Sequence, residues 1–130
     1  MKILIIDDEK TITTLLTMTL SSVGYATSCA KSGKEGLKRL AEEDIDLIIS
    51  DICMPEMDGL QLLRIVRQQY PDIGVIIITG NPGHYQPEDI IRAGAIDLVG
   101  KPFNLKDLLS IIAMSLQKKE MNTMPQLHPT

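Results

Sequence analysis

The chain has 130 residues, 44% of them hydrophobic and 23% charged, with a formal net charge of −4. That length fits one domain with a buried core, and the negative balance argues against non-specific binding of nucleic acid or an anionic membrane by this domain. No apolar run approaches the roughly 20 residues of a membrane span, and the two cysteines, Cys29 and Cys53, are too few for a disulfide framework.

The opening "MKILIIDDEK" is unlike a signal peptide, because its short apolar run ends in acids. A reduced, cytoplasmic setting is therefore expected. Within it, "KILII" (2–6) predicts the first strand. Ile12, Leu15, Leu16 and Val23 follow at helical spacing, and Gly24 ends that helix. "ATSCA" (26–30) predicts the second strand, with Cys29 as a small buried residue on it. Ser32 is placed to cap a helix carrying Leu37, Leu40 and Ala41. "DLIIS" (46–50) predicts the third strand, and Asp58-Gly59 opens a helix with Leu60, Leu63 and Val66 that stops before Pro71. "GVIIIT" (74–79) predicts the fourth strand, a helix runs from about Gln86 to Ala93, and "DLVG" (97–100) predicts the fifth strand. Leu105, Leu108, Leu109, Ile112 and Leu116 form one stripe on a last helix. From Glu120 onward the periodicity stops, so a tail or linker is expected over 119–130 after a domain of residues 1–118. Continuous runs such as "LIIS" and "VIII" suit strands covered on both faces. The alternation predicts an α/β fold, a parallel sheet with helices on both faces and right-handed crossovers.

Chemistry collects where the strands end. Asp7, Asp8 and Glu9 follow the first, Asp51 the third, Thr79 closes the fourth, and Lys101-Pro102 follows the fifth. In open α/β sheets the ligand crevice lies outside the carboxyl ends of the strands. Two like charges ~4 Å apart repel by ~4 kcal/mol at an effective dielectric near 20. Clustered carboxylates therefore need a cation, and one lysine is insufficient. A hard divalent ion with oxygen ligands such as Mg2+ fits. A carboxylate beside a metal, a hydroxyl and a lysine is equipped for phosphoryl transfer, with the carboxylate as nucleophile.

"IIDDE", "SDICMPEMDG", "IITG" and "GKPF", in this order and spacing, resemble the receiver domain of two-component response regulators, and the likeness covers residues 1 to about 118. The resemblance implies a flavodoxin-like (βα)5 fold with strand order 2-1-3-4-5 and a regulatory domain that catalyses only its own phosphorylation and dephosphorylation. By position it makes Asp51 the phosphoacceptor. Asp8, Asp51 and the backbone carbonyl of Cys53 become the ligands of Mg2+ or Mn2+, with Asp7 supporting through water. It makes Thr79 the switch hydroxyl and Lys101 the contact to the phosphoryl group, before a cis bond to Pro102. Pro55 and Gly59 shape the loop after Asp51. Cys53 and Asn81 flank the path of the hydrolytic water and tune phosphoryl lifetime. The implied partners are a sensor histidine kinase, an output domain on a longer parent chain, and a second copy docked through helix four, strand five and helix five.

One position departs from the pattern. Three residues before the lysine most receivers carry Tyr or Phe, and here Leu98 stands. The Gly- and Pro-rich loop 80–89 is therefore expected to carry more of the conformational response. Singly, each site residue has an ordinary reading: Asp7-Asp8 a turn, Thr79 a strand end, Lys101 a solvated charge. His84 and His128 have no ligand-like spacing and read as solvated loop residues. A phosphatase of the haloacid-dehalogenase type would need an Asp two residues after the nucleophile, where Cys53 stands. A flavodoxin would need a phosphate-cradling first loop, whereas "DDEK" repels an anion. A degenerate receiver that signals without phosphorylation is the alternative that stays open.

Overall fold

A computed structural model describes residues 1–80 and 85–123. Its elements alternate without exception: β1 (Lys2–Ile6), α1 (Lys10–Ser22), β2 (Ala26–Ala30), α2 (Gly33–Glu42), β3 (Leu47–Asp51), α3 (Gly59–Gln69), β4 (Gly74–Thr79), α4 (Pro87–Arg92), β5 (Asp97–Gly100) and α5 (Leu105–Thr123). The five strands are parallel in the order β2-β1-β3-β4-β5. The order implied by the motifs is thus the observed one.

Why the strand runs are continuous rather than alternating follows from the two cores. Successive side chains of a strand point to opposite faces. Ile3, Ile5, Leu47, Ile49, Ile76 and Ile78 meet Leu16 and Leu20 of α1 and Leu108, Ile112 and Leu116 of α5 on one face. On the other, Leu4, Ile6, Ile48, Val75 and Ile77 meet Leu40 of α2, Leu62, Leu63 and Val66 of α3, and Ile90 of α4. Burying each such side chain is worth roughly 1.5–3 kcal/mol. Local signals then fix the helix ends. The Ser32 side chain accepts from the Glu35 amide at 3.1 Å, and Asp58 Oδ1 accepts from the Gln61 amide at 2.8 Å. Gly24 follows α1 at φ +97°, a conformation glycine adopts without a Cβ penalty.

Four details differ from expectation. β3 runs one residue later than 46–50, because Asp46 leaves the ladder and its Oδ2 accepts from the Lys2 amide at 2.8 Å. Leu15 and Val23, spaced as core residues of α1, are 42% and 53% exposed, and the burial falls on Leu16 and Leu20 instead. Cys29 is only half-buried, with Sγ 3.2 Å from the Thr17 hydroxyl. α5 continues to Thr123, so residues 119–123, expected as tail, carry on the helix through the good helix formers Lys119, Glu120 and Met121. The rest of that expected tail, 124–130 with His128, lies outside the described residues, as do Asn81 and His84 of the 80–89 loop.

Candidate functional site

β1 lies between β2 and β3, so the chain leaves β1 toward one neighbour and returns to the other side. That reversal opens a crevice at the carboxyl ends of β1 and β3. Asp7 is held there by its backbone, whose amide donates to the Ala30 carbonyl at 3.1 Å. Its Oδ1 accepts from the Glu9 amide at 2.8 Å, folding the acidic run into a tight turn. Asp7 is buried, while Asp8 and Glu9 are exposed. Asp51 is the last residue of β3 and is 6% exposed; its Oδ1 receives the Cys53 amide at 3.4 Å, a long contact. One oxygen from each of Asp7, Asp8 and Asp51 falls within 4.8 Å of the others.

Lys101 enters from β5. Its amide donates to the Thr79 carbonyl at 2.7 Å, which aligns the lysine with the end of β4, where Thr79 is buried. The Lys101–Pro102 bond is cis. Lys101 Nζ reaches Asp7 Oδ2 and Glu9 Oε1, both at 3.2 Å, and Asp51 Oδ2 at 3.5 Å. One ammonium thus serves three carboxylates.

The electrostatics follow. Burial pushes the Asp7 carboxyl above its usual range, against the Glu9 amide and Lys101. Asp51 is raised by burial and then by the charge of Asp7, with Lys101 opposing. For Lys101 burial acts downward, but Asp51 and Asp7 outweigh it and hold the ammonium above its usual value. The site therefore carries more negative charge than its own cation compensates. Three carboxylates with oxygen donors only, two of them strained toward protonation, fit a hard divalent ion better than a soft one.

Cys53 is exposed, and desolvation together with the charge of Asp51 raises its thiol, which makes it a poor nucleophile at neutral pH. Pro55 is exposed, and Glu56 beside it stands at φ +68°, so this loop turns sharply. Gly59 closes that loop on Asp51: a Cβ on it would lie 2.7 Å from the Asp51 carbonyl oxygen. Leu98 is half-buried and packs into the core on the α2–α3–α4 face. Pro102 borders an apolar groove with Ile12, Leu15 and Phe103 beside Lys101. The sequence placed Glu9 in the acidic run but gave it no partner. Its ion pair spans 92 positions, and no local signal announces it.

These elements recur in known proteins. The profile described as "Response regulator receiver domain" matches residues 3–113. Among curated proteins the chain is 35% identical over 120 residues to the regulatory protein AtoC of Escherichia coli strain K12, covering 92% of this chain and 26% of that protein. It is 32% identical over 120 residues to the alkaline phosphatase synthesis transcriptional regulatory protein PhoP of Bacillus subtilis, covering 92% of this chain and 50% of that one. The chain thus spans a quarter to a half of these relatives. Among solved structures, a response regulator receiver domain protein from Clostridium thermocellum superposes at TM-score 0.88 and 32% identity, covering 94% of this chain and 98% of that one. The beryllofluoride-activated NtrC4 receiver domain dimer superposes at TM-score 0.85 and 30% identity, covering 91% and 98%. Receiver domains bind Mg2+ at an acidic pocket, and the acidic cluster here is Asp7, Asp8 and Asp51. This chain belongs to the receiver-domain family of two-component response regulators, the regulatory signalling domains of that system.

Proposed function

We propose that the chain is a phosphoacceptor switch, modified on Asp51 and returned to rest by hydrolysis. The observation that carries this reading is the approach of Asp7, Asp8 and Asp51 within 4.8 Å of one another with Lys101 Nζ 3.5 Å from Asp51 Oδ2. An Asp51 oxygen attacks phosphorus in line, and the bond to the donor breaks, its electron pair leaving with the histidine nitrogen of a kinase or the oxygen of an acyl phosphate. Lys101 neutralises phosphoryl oxygens, which requires it to loosen its hold on Asp7 and Glu9. Thr79 donates to the same oxygens and relays their arrival. Asp8 and Asp51, the Cys53 carbonyl, and Asp7 through water hold Mg2+ or Mn2+, which when bound offsets the charge of the transferred group. Cys53 and Asn81 tune the lifetime of the adduct. Pro55, Gly59 and Pro102 hold the loops around it. Leu98, in place of a ring, moves more of the response into loop 80–89.

The donor is a sensor histidine kinase, and the recipient of the signal is an output domain on a longer parent chain. Partial exposure of Ile91, Ile96 and Met114, at 46%, 44% and 70%, supports a docking face for a second copy on α4, β5 and α5. Among the described residues no helix is long and apolar enough to cross a membrane; a cytoplasmic site of action is part of this proposal.

The deciding experiment incubates the chain with acetyl phosphate, with and without Mg2+, and takes intact masses of wild type and Asp51→Asn. A single phosphoryl adduct that needs both Mg2+ and Asp51 is expected. A folded protein without an adduct would replace this reading with a receiver that signals through contacts alone.

A further inference from the structure

Glu9 stands at the N-cap of α1, yet its carboxylate caps nothing there. Side chains preferred at that position are short ones, Ser, Thr, Asp and Asn, which turn back onto the first amides of the helix. Here the backbone alone closes the helix start. The Glu9 carbonyl accepts from the Ile12 and Thr13 amides at 3.1 and 3.2 Å, and the Glu9 amide donates to Asp7 Oδ1 at 2.8 Å. The side chain instead sends Oε1 to Lys101 Nζ, 3.2 Å away and 92 positions along the chain. Glu9 is thus pinned through both its backbone polar groups while its carboxylate is committed to the crevice. A local rule is set aside with no local gain, which is a mark of functional positions.

Lys101 has no donor to spare. An ammonium carries three hydrogens, and Nζ lies 3.2 Å from Asp7 Oδ2, 3.2 Å from Glu9 Oε1 and 3.5 Å from Asp51 Oδ2. Contact with an arriving phosphoryl oxygen therefore requires that one carboxylate be given up. The three are unequal in what their loss costs. The Asp7 and Asp51 side chains are 3% and 6% exposed, and a carboxylate left there without its cation keeps the full penalty of desolvation. Glu9 is 59% exposed, so water takes the place of the ammonium. Glu9 is the partner most easily released.

We propose that Glu9 is a positioning residue, the releasable tether of Lys101, which holds the ammonium at rest and yields it when a phosphoryl group arrives. Holding and yielding belong to one equilibrium. Whatever Glu9 adds to the resting arrangement is therefore lost from the affinity for a phosphoryl group. As a control on phosphoryl capture the tether rests on the reading of Asp51 as phosphoacceptor; as the anchor of Lys101 at rest it does not.

The test compares wild type, Glu9→Asp and Glu9→Gln. Glu9→Asp keeps the charge but withdraws it by one methylene from Nζ, and Glu9→Gln keeps the length but removes the charge. Beryllofluoride affinity is titrated by calorimetry at saturating Mg2+. The resting proteins are compared through the 1H–15N signal of the Lys101 ammonium, assigned by its loss in Lys101→Arg. Glu9→Asp should bind beryllofluoride about fivefold more tightly than wild type, the equivalent of about 1 kcal/mol and the upper end for an exposed ion pair. Glu9→Gln should also bind more tightly, and the ammonium signal should move in both. Wild-type affinity in Glu9→Asp overturns the tether, even with a lowered Tm, because the pair would then be structural only. Tightening in Glu9→Gln alone overturns it as well, since general negative charge and not the hold on Lys101 would then oppose the anion. If wild type binds no beryllofluoride, the phosphoacceptor reading fails by itself. The ammonium signal still decides the anchor, which an unchanged signal in both variants overturns.

Discussion

The two edges of the sheet both hold charge away from water, and they handle it differently. At the carboxyl edge, Asp7, Asp51 and Glu9 share the ammonium of Lys101, and Asp8 stands beside them. At the amino edge, Arg67 lies against Gly94 and gives Nη1 to the Pro71 carbonyl at 3.3 Å. Its Nε and Nη2 are sealed from solvent with no partner among the described residues. Burial lowers the Arg67 guanidinium from its ordinary value, with the charge of Asp72 opposing. An incomplete set of carboxylates that opens to solvent through Asp8 can be completed by an ion or a phosphoryl group. At Arg67 only Nε and Nη2 are packed over; the side chain as a whole is part-buried and borders a cavity with Asp72 and Met114. What separates the edges is whether a partner can still reach the unpaired atoms.

The comparison breaks most visibly at Asp8. Asp8→Ala should bring the Mg2+-dependent adduct with acetyl phosphate below detection by intact mass, while the metal-free protein melts no lower than wild type because a like charge has gone. If the adduct persists undiminished, the acidic run is only a turn. Next in size is the ion itself. Mg2+ at ten times its Kd should stabilise the fold by about 1.4 kcal/mol, read as a rise in Tm that Asp8→Ala loses.

A third outcome concerns pH. Because the folded state raises the Asp51 pKa through burial and Asp7, its protonated form suits the fold. This residue costs nothing below the ordinary carboxylate value of about 3.9, and it weakens the fold as pH rises through the raised value. Asp51→Asn should therefore melt above wild type at pH 8 without metal, with the gap closing in acid. A gap that widens in acid would mean that Lys101 dominates the carboxylate's surroundings. The smallest effect belongs to the amino edge. Arg67→Met keeps the stem, removes the orphaned nitrogens and should shift stability by no more than about 1 kcal/mol in either direction, leaving phosphorylation by acetyl phosphate intact.

The fold was legible because both faces of the sheet are covered, which turns strand after strand into an uninterrupted apolar run such as "VIII" at 75–78. The carboxyl-edge cluster was legible because Asp7, Asp8, Asp51, Thr79 and Lys101 each sit at a strand end, so topology alone converges them. Contacts between distant side chains were not. Glu9 with Lys101 depends on side-chain reach across the crevice. Leu15 and Val23 have core spacing yet stay exposed, since α1 turns Leu16 and Leu20 inward. α5 outlasted its apolar stripe because the residues after Leu116 include good helix formers such as Lys119, Glu120 and Met121.

The length of α5 sets a transmission distance. Its 19 residues extend about 28 Å at 1.5 Å per residue. The helix begins just past Lys101 and by Lys118 has reached the far rim, beside Asp46 and Gly74. The described end of α5 therefore lies at the pole opposite the aspartate. An event confined to a few ångströms around Asp51 has to be conveyed across the full thickness of the domain, or around its flank by way of α4, before anything attached there can respond.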